Sequence, residues 1–289
     1  MKVWLLAARP KTLLAGLCPV ILGASIAYQM GVLSWEVLGL SCISVLLLQV
    51  GTNFANDYSD ALNGKDTTQR LGPQRATQSG LISVSQMRGA MILMFVLSVL
   101  AALPLMLRGG GVIVGIGVVS ILCAYLYTGG PYPLAYHGLG DIVAWVFFGP
   151  VAVMGTLYLH AFTWPLFGLY WGALMGLFSV ALLAVNNTRD FREDTQTGKR
   201  TLVVRFGERF GRIEYALALF IASFVPAGQM IMTGDYAWAL LTVGVLLLKA
   251  LIIRSFLMRK GSELNYFLGE TARLMLLYTV VMASYICWG

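Results

Sequence analysis

The sequence predicts an all-α polytopic membrane protein, with about nine transmembrane helices in a single domain over residues 1–289. The chain is 58% hydrophobic and only 11% charged, which is less than half the charge of an ordinary soluble domain. Its mean hydropathy is +0.77. The apolar residues form long runs, near or above the roughly 20 residues that cross the hydrocarbon core of a bilayer. They do not recur at the spacing of a half-buried helix or strand.

Nine apolar runs give the predicted spans in chain order. The first run follows Arg9 and Lys11 and continues to Met30, so we interpret it as a span and not as a cleaved signal peptide. Prolines inside three of the runs, Pro19, Pro104 and Pro226, predict kinks. The runs cover residues 12–30, 35–56, 86–107, 110–128, 139–159, 163–187, 213–233, 236–254 and 267–288.

The distribution of Lys and Arg predicts the orientation of these spans. With nine crossings, the N-terminus and the loops after the second, fourth, sixth and eighth spans share one side, which carries seventeen of the twenty basic residues. Because positive loops are retained in the cytoplasm, we expect this side to be cytoplasmic. The net charge of +7 therefore indicates orientation and an anionic substrate. No basic stripe interleaved with aromatic residues supports a nucleic-acid partner.

Two acidic segments interrupt the apolar sequence, each where a predicted span ends on the cytoplasmic side. On a helix at about 100° per residue, the polar residues of the first segment fall within an arc of roughly 100°, and those of the second within about 60°. Each segment therefore predicts a polar stripe on one face of its helix. The stripes consist of Asn53, Asn56, Asp57 and Asp60, and of Asn187, Asp190 and Asp194.

Carboxylates grouped with amide oxygens are typical ligands of hard cations, and Mg²⁺ takes one or two carboxylates while leaving positions for phosphate oxygens. A single Asp or Asn at a helix end is more often solvated or capping. Two matching stripes on one side, partly inside the membrane, favour a shared site with two or three Mg²⁺ around a diphosphate. The predicted catalytic residues are the four aspartates. The predicted metal ligands are Asn53, Asp57, Asp60, Asp190 and Asp194.

Each acidic segment is followed by the same pattern, D-x-x-x-G-K-x-T, which begins at Asp60 and at Asp194. We expect cations of these motif loops, about residues 57–85 and 188–212, to bind phosphate. For any single one of them, retention on the cytoplasmic side is an equally good explanation. Neither Gly-Lys pair is a P-loop, because the flanking Gly and Ser/Thr positions do not match. The predicted diphosphate ligands are Lys65, Arg70, Arg75, Lys199 and Arg200.

The first segment reads N-x-x-x-D-x-x-D and the second D-x-x-x-D. Both resemble the motifs of the UbiA superfamily of intramembrane aromatic prenyltransferases, and further similarities cover most of the chain, in residues 9–12, 72–80, 127–131, 138–141 and 198–207. The resemblance implies helices around a central cavity, a lateral opening for the prenyl chain, Mg²⁺ dependence and a cytoplasmic cap made by the motif loops. It also implies a place in the cell (inner) membrane. The distribution of Lys and Arg predicts that the N-terminus and the active-site mouth are cytoplasmic.

Within this superfamily, the chain is similar to the branch that transfers a polyprenyl group from polyprenyl diphosphate to 1,4-dihydroxy-2-naphthoate, in the menaquinone pathway. The 4-hydroxybenzoate branch typically has Y-x-x-x-K at the end of the fourth span, whereas here Pro131 follows Tyr127 at that spacing. The residues implied for the substrate cavity are Asn53, Asn187, Asp141 and Tyr127.

Two alternatives stay open from the sequence. A related enzyme could use another aromatic acceptor, such as 4-hydroxybenzoate or homogentisate. A secondary transporter would also contain intramembrane Asn and Asp, but it predicts these residues at the midplane of broken helices. The stripes of this chain lie at one surface and are followed by basic loops, so the transporter is the less favoured interpretation.

Overall fold

The computed structural model of the chain describes residues 2–63, 71–73 and 75–289. These residues form twelve α-helices and no β-strand, which confirms the all-α fold class. Short 3₁₀ segments occupy Leu134–His137 and Gly261–Leu264, and a π-helical segment occupies Phe147–Val151. The α-helices are α1 (Lys2–Ala8), α2 (Pro10–Gln29), α3 (Trp35–Leu62), α4 (Val84–Leu126), α5 (Gly140–Val146), α6 (Ala152–Ala161), α7 (Leu166–Arg189), α8 (Phe191–Thr197), α9 (Leu202–Phe206), α10 (Glu208–Thr233), α11 (Tyr236–Met258) and α12 (Asn265–Trp288).

Eight helical segments in the described part of the chain are long and apolar enough to cross a bilayer. One of them, α4, has 43 residues and would be about 65 Å long if straight, roughly twice the hydrocarbon thickness. Gly110 interrupts α4 with φ 63° and ψ −153°, a conformation essentially restricted to glycine. The two halves fold back on each other, since a Cβ on Gly117 would lie 3.1 Å from Met106 Cε. With the halves counted separately, the described residues provide the nine predicted crossings.

The fifth predicted span has a more complex geometry than a single helix. It runs from Gly140 to Ala161 through α5, the π-helical segment and α6. The π-helical segment contains Pro150, which has no backbone N–H to donate, and such segments frequently occur at functional sites. Helix α1 has only seven residues, too few to cross a bilayer, so the pattern of long apolar runs does not predict it.

The prediction of a continuous helical stripe for the second acidic segment is wrong. Helix α7 ends at Arg189, Asp190 has non-helical torsion angles (φ −91°, ψ 7°), and α8 begins at the next residue. The Arg189 guanidinium donates to both carboxylate oxygens of Asp190, at 2.7 and 2.6 Å, and holds the chain at this break. Asn187 and Asp194 consequently belong to different helices. The first acidic segment does remain helical, up to Leu62 of α3.

Small residues allow close packing at the centre of the bundle. Helix α2 contacts α3, α6, α7 and α12, and α7 also contacts α10 and the π-helical segment. A Cβ on Gly172 of α7 would lie 2.9 Å from Pro150 Cα, and one on Gly176 would lie 2.5 Å from the Trp145 carbonyl oxygen. Such close backbone approach is typical of small residues between membrane helices. It brings α7, and the acidic segment at its end, against the fifth span.

The C-terminal ends of α3 and α7 lie on the same side of the bundle, which we call the motif side. Short segments contact one another there. The Arg200 backbone N–H donates to the Tyr136 carbonyl at 3.0 Å, and Arg205 Nη2 donates to the His137 carbonyl at 2.7 Å. These hydrogen bonds join the loop after α8, and helix α9, to the 3₁₀ segment that precedes α5.

Candidate active site

A cavity of about 330 Å³ lies between α2, α3, both halves of α4, the fifth span and α7. Most of its wall is apolar, and the aromatic rings of Phe147 and Phe148 in the π-helical segment contribute to it. Along α3 the lining extends from Ser41 to Asn56, about 22 Å at 1.5 Å per residue. Apart from small hydroxyl side chains, the polar lining residues lie toward the motif side. They are Arg9, Gln49, Asn53, Asn56, Tyr127 and Asn186.

Asp60 and Asp194, one carboxylate from each acidic segment, meet at the side chain of Lys199. The Lys199 ammonium lies 3.6 Å from Asp60 Oδ1 and 3.9 Å from Asp194 Oδ1. Asp60 also accepts hydrogen bonds from Arg75 Nη2 and Tyr136 Oη, each at 2.6 Å. Both carboxylates are buried. The structure therefore brings two predicted metal ligands together with two predicted phosphate ligands, Lys199 and Arg75.

The other two predicted catalytic aspartates make different contacts. Asp57 is buried and accepts hydrogen bonds from the backbone N–H groups of Ala76 and Thr77, at 3.1 and 3.3 Å, so it fixes the first motif loop to α3. Asp190 is paired with Arg189 at the end of α7. Among the described residues, no group of three or more acidic, His or Cys side chains converges on one point as a metal site.

The two carboxylates beside Lys199 nevertheless have the ligand chemistry that a hard divalent cation requires. Asp60 and Asp194 offer carboxylate oxygens from separate helices, and the ammonium of Lys199 lies between them, where a cation neutralises both. Burial raises the pKa of Asp194 to about 7, while Lys199 opposes this increase. A bound cation would favour the ionised form of this carboxyl group. Asp60 and Asp194 would therefore hold Mg²⁺, and Asn53, Asp57 and Asp190 stay predicted ligands.

Two of the five predicted phosphate ligands lie at this cluster in the described part of the chain. Lys65 and Arg70 lie outside the described residues. Arg200 is exposed, and it contacts the cluster region through its backbone, which donates to Tyr136 and accepts from Arg205. Lys199 and Arg75 are thus the predicted cations that the structure joins to the carboxylates.

Only some of the residues predicted to line the substrate cavity do so in the structure. Asn53 and Tyr127 line the cavity. Asp141 is buried in the first turn of α5, beside Tyr127, since a Cβ on the preceding Gly140 would lie 2.9 Å from Tyr127 Oη. Asn187 is half-buried on the last turn of α7, and it is the adjacent Asn186 that lines the cavity.

Sequence reasoning missed two residues that organise the site. Tyr136 donates to Asp60, and its ring centroid lies 5.1 Å from Lys199 Nζ. Tyr136 and Asp60 are 76 positions apart, so no local spacing could indicate their contact. The second is Arg189, which the charge distribution places on the cytoplasmic side; it is buried and also donates to Asn265 Oδ1 at 2.8 Å. Its position next to Asp190 in the sequence is the feature that could have indicated this ion pair.

The fold and this site define a class of all-helical membrane proteins in which an apolar cavity has a polar end, flanked by paired carboxylates and cations. The sequence profile of the UbiA prenyltransferase family matches residues 16–287. The chain belongs to this family and is an integral multi-pass membrane protein.

The relatives of the chain include curated enzymes of similar length. The chain is 34% identical to the 1,4-dihydroxy-2-naphthoate octaprenyltransferase of Mycobacterium tuberculosis, over 99% of this chain and 97% of that one. It is 40% identical to the enzyme of the same name from Escherichia coli, over 78% of this chain and 74% of that one.

Solved structures share the fold. A UbiA homolog from Archaeoglobus fulgidus superimposes with a TM-score of 0.66 at 16% identity, covering 99% of both chains. The structure of a UbiA homolog from the same organism with DMAPP and Mg²⁺ bound gives a TM-score of 0.63 at 15% identity, covering 98% of both chains.

Proposed function

We propose that the whole chain is one transferase domain that moves a polyprenyl group from polyprenyl diphosphate to 1,4-dihydroxy-2-naphthoate. The products are demethylmenaquinol, CO₂ and pyrophosphate. The observation that carries this proposal is the apolar cavity, whose polar end adjoins the Asp60–Lys199–Asp194 cluster. The relatives named above support the choice of acceptor, because they match this chain over most of its length.

The shape and polarity of the cavity suit both ends of a prenyl diphosphate. An isoprenoid tail loses favourable burial if it is drawn into water, at about 0.8 kcal/mol per CH₂-sized group. A slot of about 22 Å along α3 keeps the tail among apolar side chains. The diphosphate then lies at the motif side, near the basic side chains of Lys199 and Arg75.

The basic and acidic residues of the cluster have different roles toward the diphosphate and its metal ion. Lys199 and Arg75 would bind diphosphate oxygens, the first as a point charge and the second through its planar fork. Asp60 and Asp194 would hold Mg²⁺, which when bound neutralises the leaving diphosphate. The rings of Phe147 and Phe148 on the cavity wall would stabilise positive charge on the prenyl group by about 0.5–2 kcal/mol.

The overall bond changes are balanced without a side-chain base. The bond between the prenyl carbon and the diphosphate oxygen breaks, and the oxygen keeps the electron pair. The acceptor carbon that carries the carboxylate forms the new C–C bond. That carboxylate leaves as CO₂, and the electron pair of its bond returns to the ring. The cavity residues therefore need to orient the ring and exclude water.

The function is tested with purified protein, Mg²⁺ and a polyprenyl diphosphate, offered either 1,4-dihydroxy-2-naphthoate or 4-hydroxybenzoate. We expect prenylated product of the mass that corresponds to loss of CO₂ from the naphthoate, together with pyrophosphate. Product from 4-hydroxybenzoate alone would reassign the acceptor. The absence of pyrophosphate release with either acceptor would contradict the transferase proposal.

We propose that the motif side faces the cytoplasm, as the basic residues indicate. In a variant without the native cysteines, a cysteine at the exposed Gln196 of α8 should react with a membrane-impermeant thiol reagent only from the cytoplasmic side. A cysteine at the exposed Thr163, between α6 and α7, should react only from the opposite side. Labelling of both from one face would contradict the span count between them. The native cysteines to be replaced are Cys18, Cys42, Cys123 and Cys287.

Gly155 of α6 provides a test of the tail slot. It lines the cavity, and a Cβ there would have an ordinary contact of 3.7 Å with Ile116 Cδ1. Gly155→Phe should therefore be tolerated while its ring fills the slot. We expect turnover with a long polyprenyl donor to fall at least about tenfold, because overfilling a packed site costs about 1–3 kcal/mol. Turnover with geranyl diphosphate should change much less.

The matched control for this variant is Gly115→Phe. Gly115 is exposed on the second half of α4, where a Cβ meets nothing within 4 Å. In Gly115→Phe, the prenyl lengths of the products, measured by mass spectrometry, should be the same as in the wild type. Equal loss with long and short donors in Gly155→Phe would contradict the placement of the tail.

A further inference from the structure

The connection between α1 and α2 is a strained elbow at the polar end of the cavity. Arg9 has φ 50° and ψ 68°, the left-handed conformation, and is one of two described non-glycine residues with positive φ. Pro10 follows directly and itself disfavours helical geometry at the preceding residue. Strained backbone of this kind persists only when the surrounding structure holds it, and it is common at functional sites.

The amide side chain of Asn53 holds this elbow. Its Nδ2 donates to the Ala8 carbonyl at 2.8 Å and to Thr12 Oγ1 at 3.1 Å. Thr12 Oγ1 in turn donates to the Arg9 carbonyl at 2.9 Å. The two hydrogen bonds from Asn53 thus span the elbow from the last residue of α1 to the first turn of α2. Asn53 is buried, so water does not readily replace them.

These contacts explain why the first motif begins with an amide. A carbonyl oxygen only accepts hydrogen bonds, so the atom of residue 53 that faces Ala8 must be a donor. An ionised Asp at this position keeps oxygen ligands for a metal but has no hydrogen to donate. Metal binding alone would accept Asp as well as Asn, whereas the elbow requires Asn.

The elbow fixes the position of Arg9, which lines the cavity together with Thr12 and Asn53. A guanidinium at the polar end of an apolar cavity suits a planar or tetrahedral oxyanion, which it can bind through two parallel N–H groups. Both proposed substrates carry such a group, a diphosphate on the donor and a carboxylate on the acceptor.

We propose that Asn53 is a positioning residue, which clamps the α1–α2 elbow through its amide nitrogen and so holds Arg9 against the anionic group of a substrate. This role rests on the proposed function for the identity of the anion. It is additional to any metal contact made by Asn53 Oδ1. The clamp explains a feature of the chain that metal binding does not, the hydrogen bonds from Asn53 to α1 and α2.

The test compares Asn53→Asp with Thr12→Val, which removes the bridging hydroxyl without touching either motif. Thr12→Ser keeps the hydroxyl and is the matched control. We expect Asn53→Asp and Thr12→Val to raise one substrate KM about tenfold, the scale of losing a buried hydrogen bond. The Mg²⁺ concentration for half-maximal activity should not rise in either variant. A change in donor KM identifies the diphosphate, and a change in acceptor KM identifies the carboxylate.

Two further measurements separate the clamp from other effects. In an Arg9→Gln background, Asn53→Asp should add less than about a twofold effect, because the two residues act as one unit. Hydrogen exchange of the amides in residues 8–13 should be faster in Asn53→Asp and Thr12→Val than in the wild type and in Thr12→Ser. The exchange measurement requires no turnover, so it decides the clamp even if dihydroxynaphthoate is not the acceptor.

Three outcomes would overturn the proposal. These are unchanged exchange in both clamp variants, fully additive effects of Arg9→Gln and Asn53→Asp, and a higher Mg²⁺ requirement in Asn53→Asp with wild-type kinetics in Thr12→Val. The last of these would leave residue 53 with a role at the metal alone.

Discussion

Asp60→Asn and Asp194→Asn should each lower turnover at least about a hundredfold, the scale of removing a positioned electrostatic stabiliser. The two carboxylates come from separate acidic segments and meet within 4 Å of Lys199 Nζ, at 3.6 and 3.9 Å. Each substitution keeps the shape of the side chain while removing the negative charge that a divalent cation requires. The measurement is kcat at saturating donor and acceptor over a range of Mg²⁺ concentrations. Higher Mg²⁺ should restore only part of the activity.

The two variants differ in their expected stability, which makes the comparison informative. Asp60 forms a buried ion pair with Arg75, so Asp60→Asn removes one charge of a buried pair and should lower the free energy of unfolding by up to about 3–5 kcal/mol. Among the described residues, Asp194 contacts the partly exposed Lys199 and no buried arginine, so Asp194→Asn should unfold nearer to the wild-type temperature. The control is Glu36→Gln, an exposed acid at the opposite end of α3. Near-normal turnover in Asp194→Asn, with the fold intact, would contradict the assignment of the metal site.

The membrane architecture could be predicted from the sequence because its physical cause is local. A run of about 20 apolar residues is sufficient to define a span, and the break in α4 occurs at Gly110, the first residue of the predicted fourth span. The π-helical segment in the fifth span and the short helix α1 could not be predicted in this way. Both depend on contacts with other helices, such as the close approach of Gly172 to Pro150.

The candidate site could be predicted less completely, because the residue types do not say which partner each carboxylate takes. Spacing identified Asp57, Asp60, Asp190 and Asp194 as a set. In the structure, these four carboxylates bind different partners. Asp57 binds backbone N–H groups of residues 76 and 77, and Asp190 binds the adjacent Arg189. The D-x-x-x-G-K-x-T repeat did single out Lys199, which in the structure contacts an aspartate of each segment, and its role as a phosphate ligand stays a prediction.

Lys199→Met should raise the donor KM about ten- to a hundredfold while leaving the acceptor KM nearly unchanged. The ammonium of Lys199 is half-enclosed between Asp60 and Asp194 and lies 5.1 Å from the ring centroid of Tyr136, so its position is fixed before substrate binds. A hydrogen bond to a charged group contributes about 1.5–3 kcal/mol, which corresponds to the expected range of KM. Lys199→Arg should recover part of the loss, because it restores the charge with a different shape.

The control for this prediction is Lys260→Met, which removes the same charge from an exposed position before the second 3₁₀ segment and should leave both KM values unchanged. Steady-state kinetics with each substrate varied in turn gives the measurement. If Lys199→Met changes only the acceptor KM, the ammonium belongs to the acceptor pocket. If it changes neither KM but lowers the unfolding temperature, Lys199 neutralises Asp60 and Asp194 and does not bind diphosphate. The donor-specific change is the expected result because a diphosphate held at these two carboxylates needs a cation at the same point. Among the described residues, Lys199 is the predicted phosphate ligand that contacts both carboxylates.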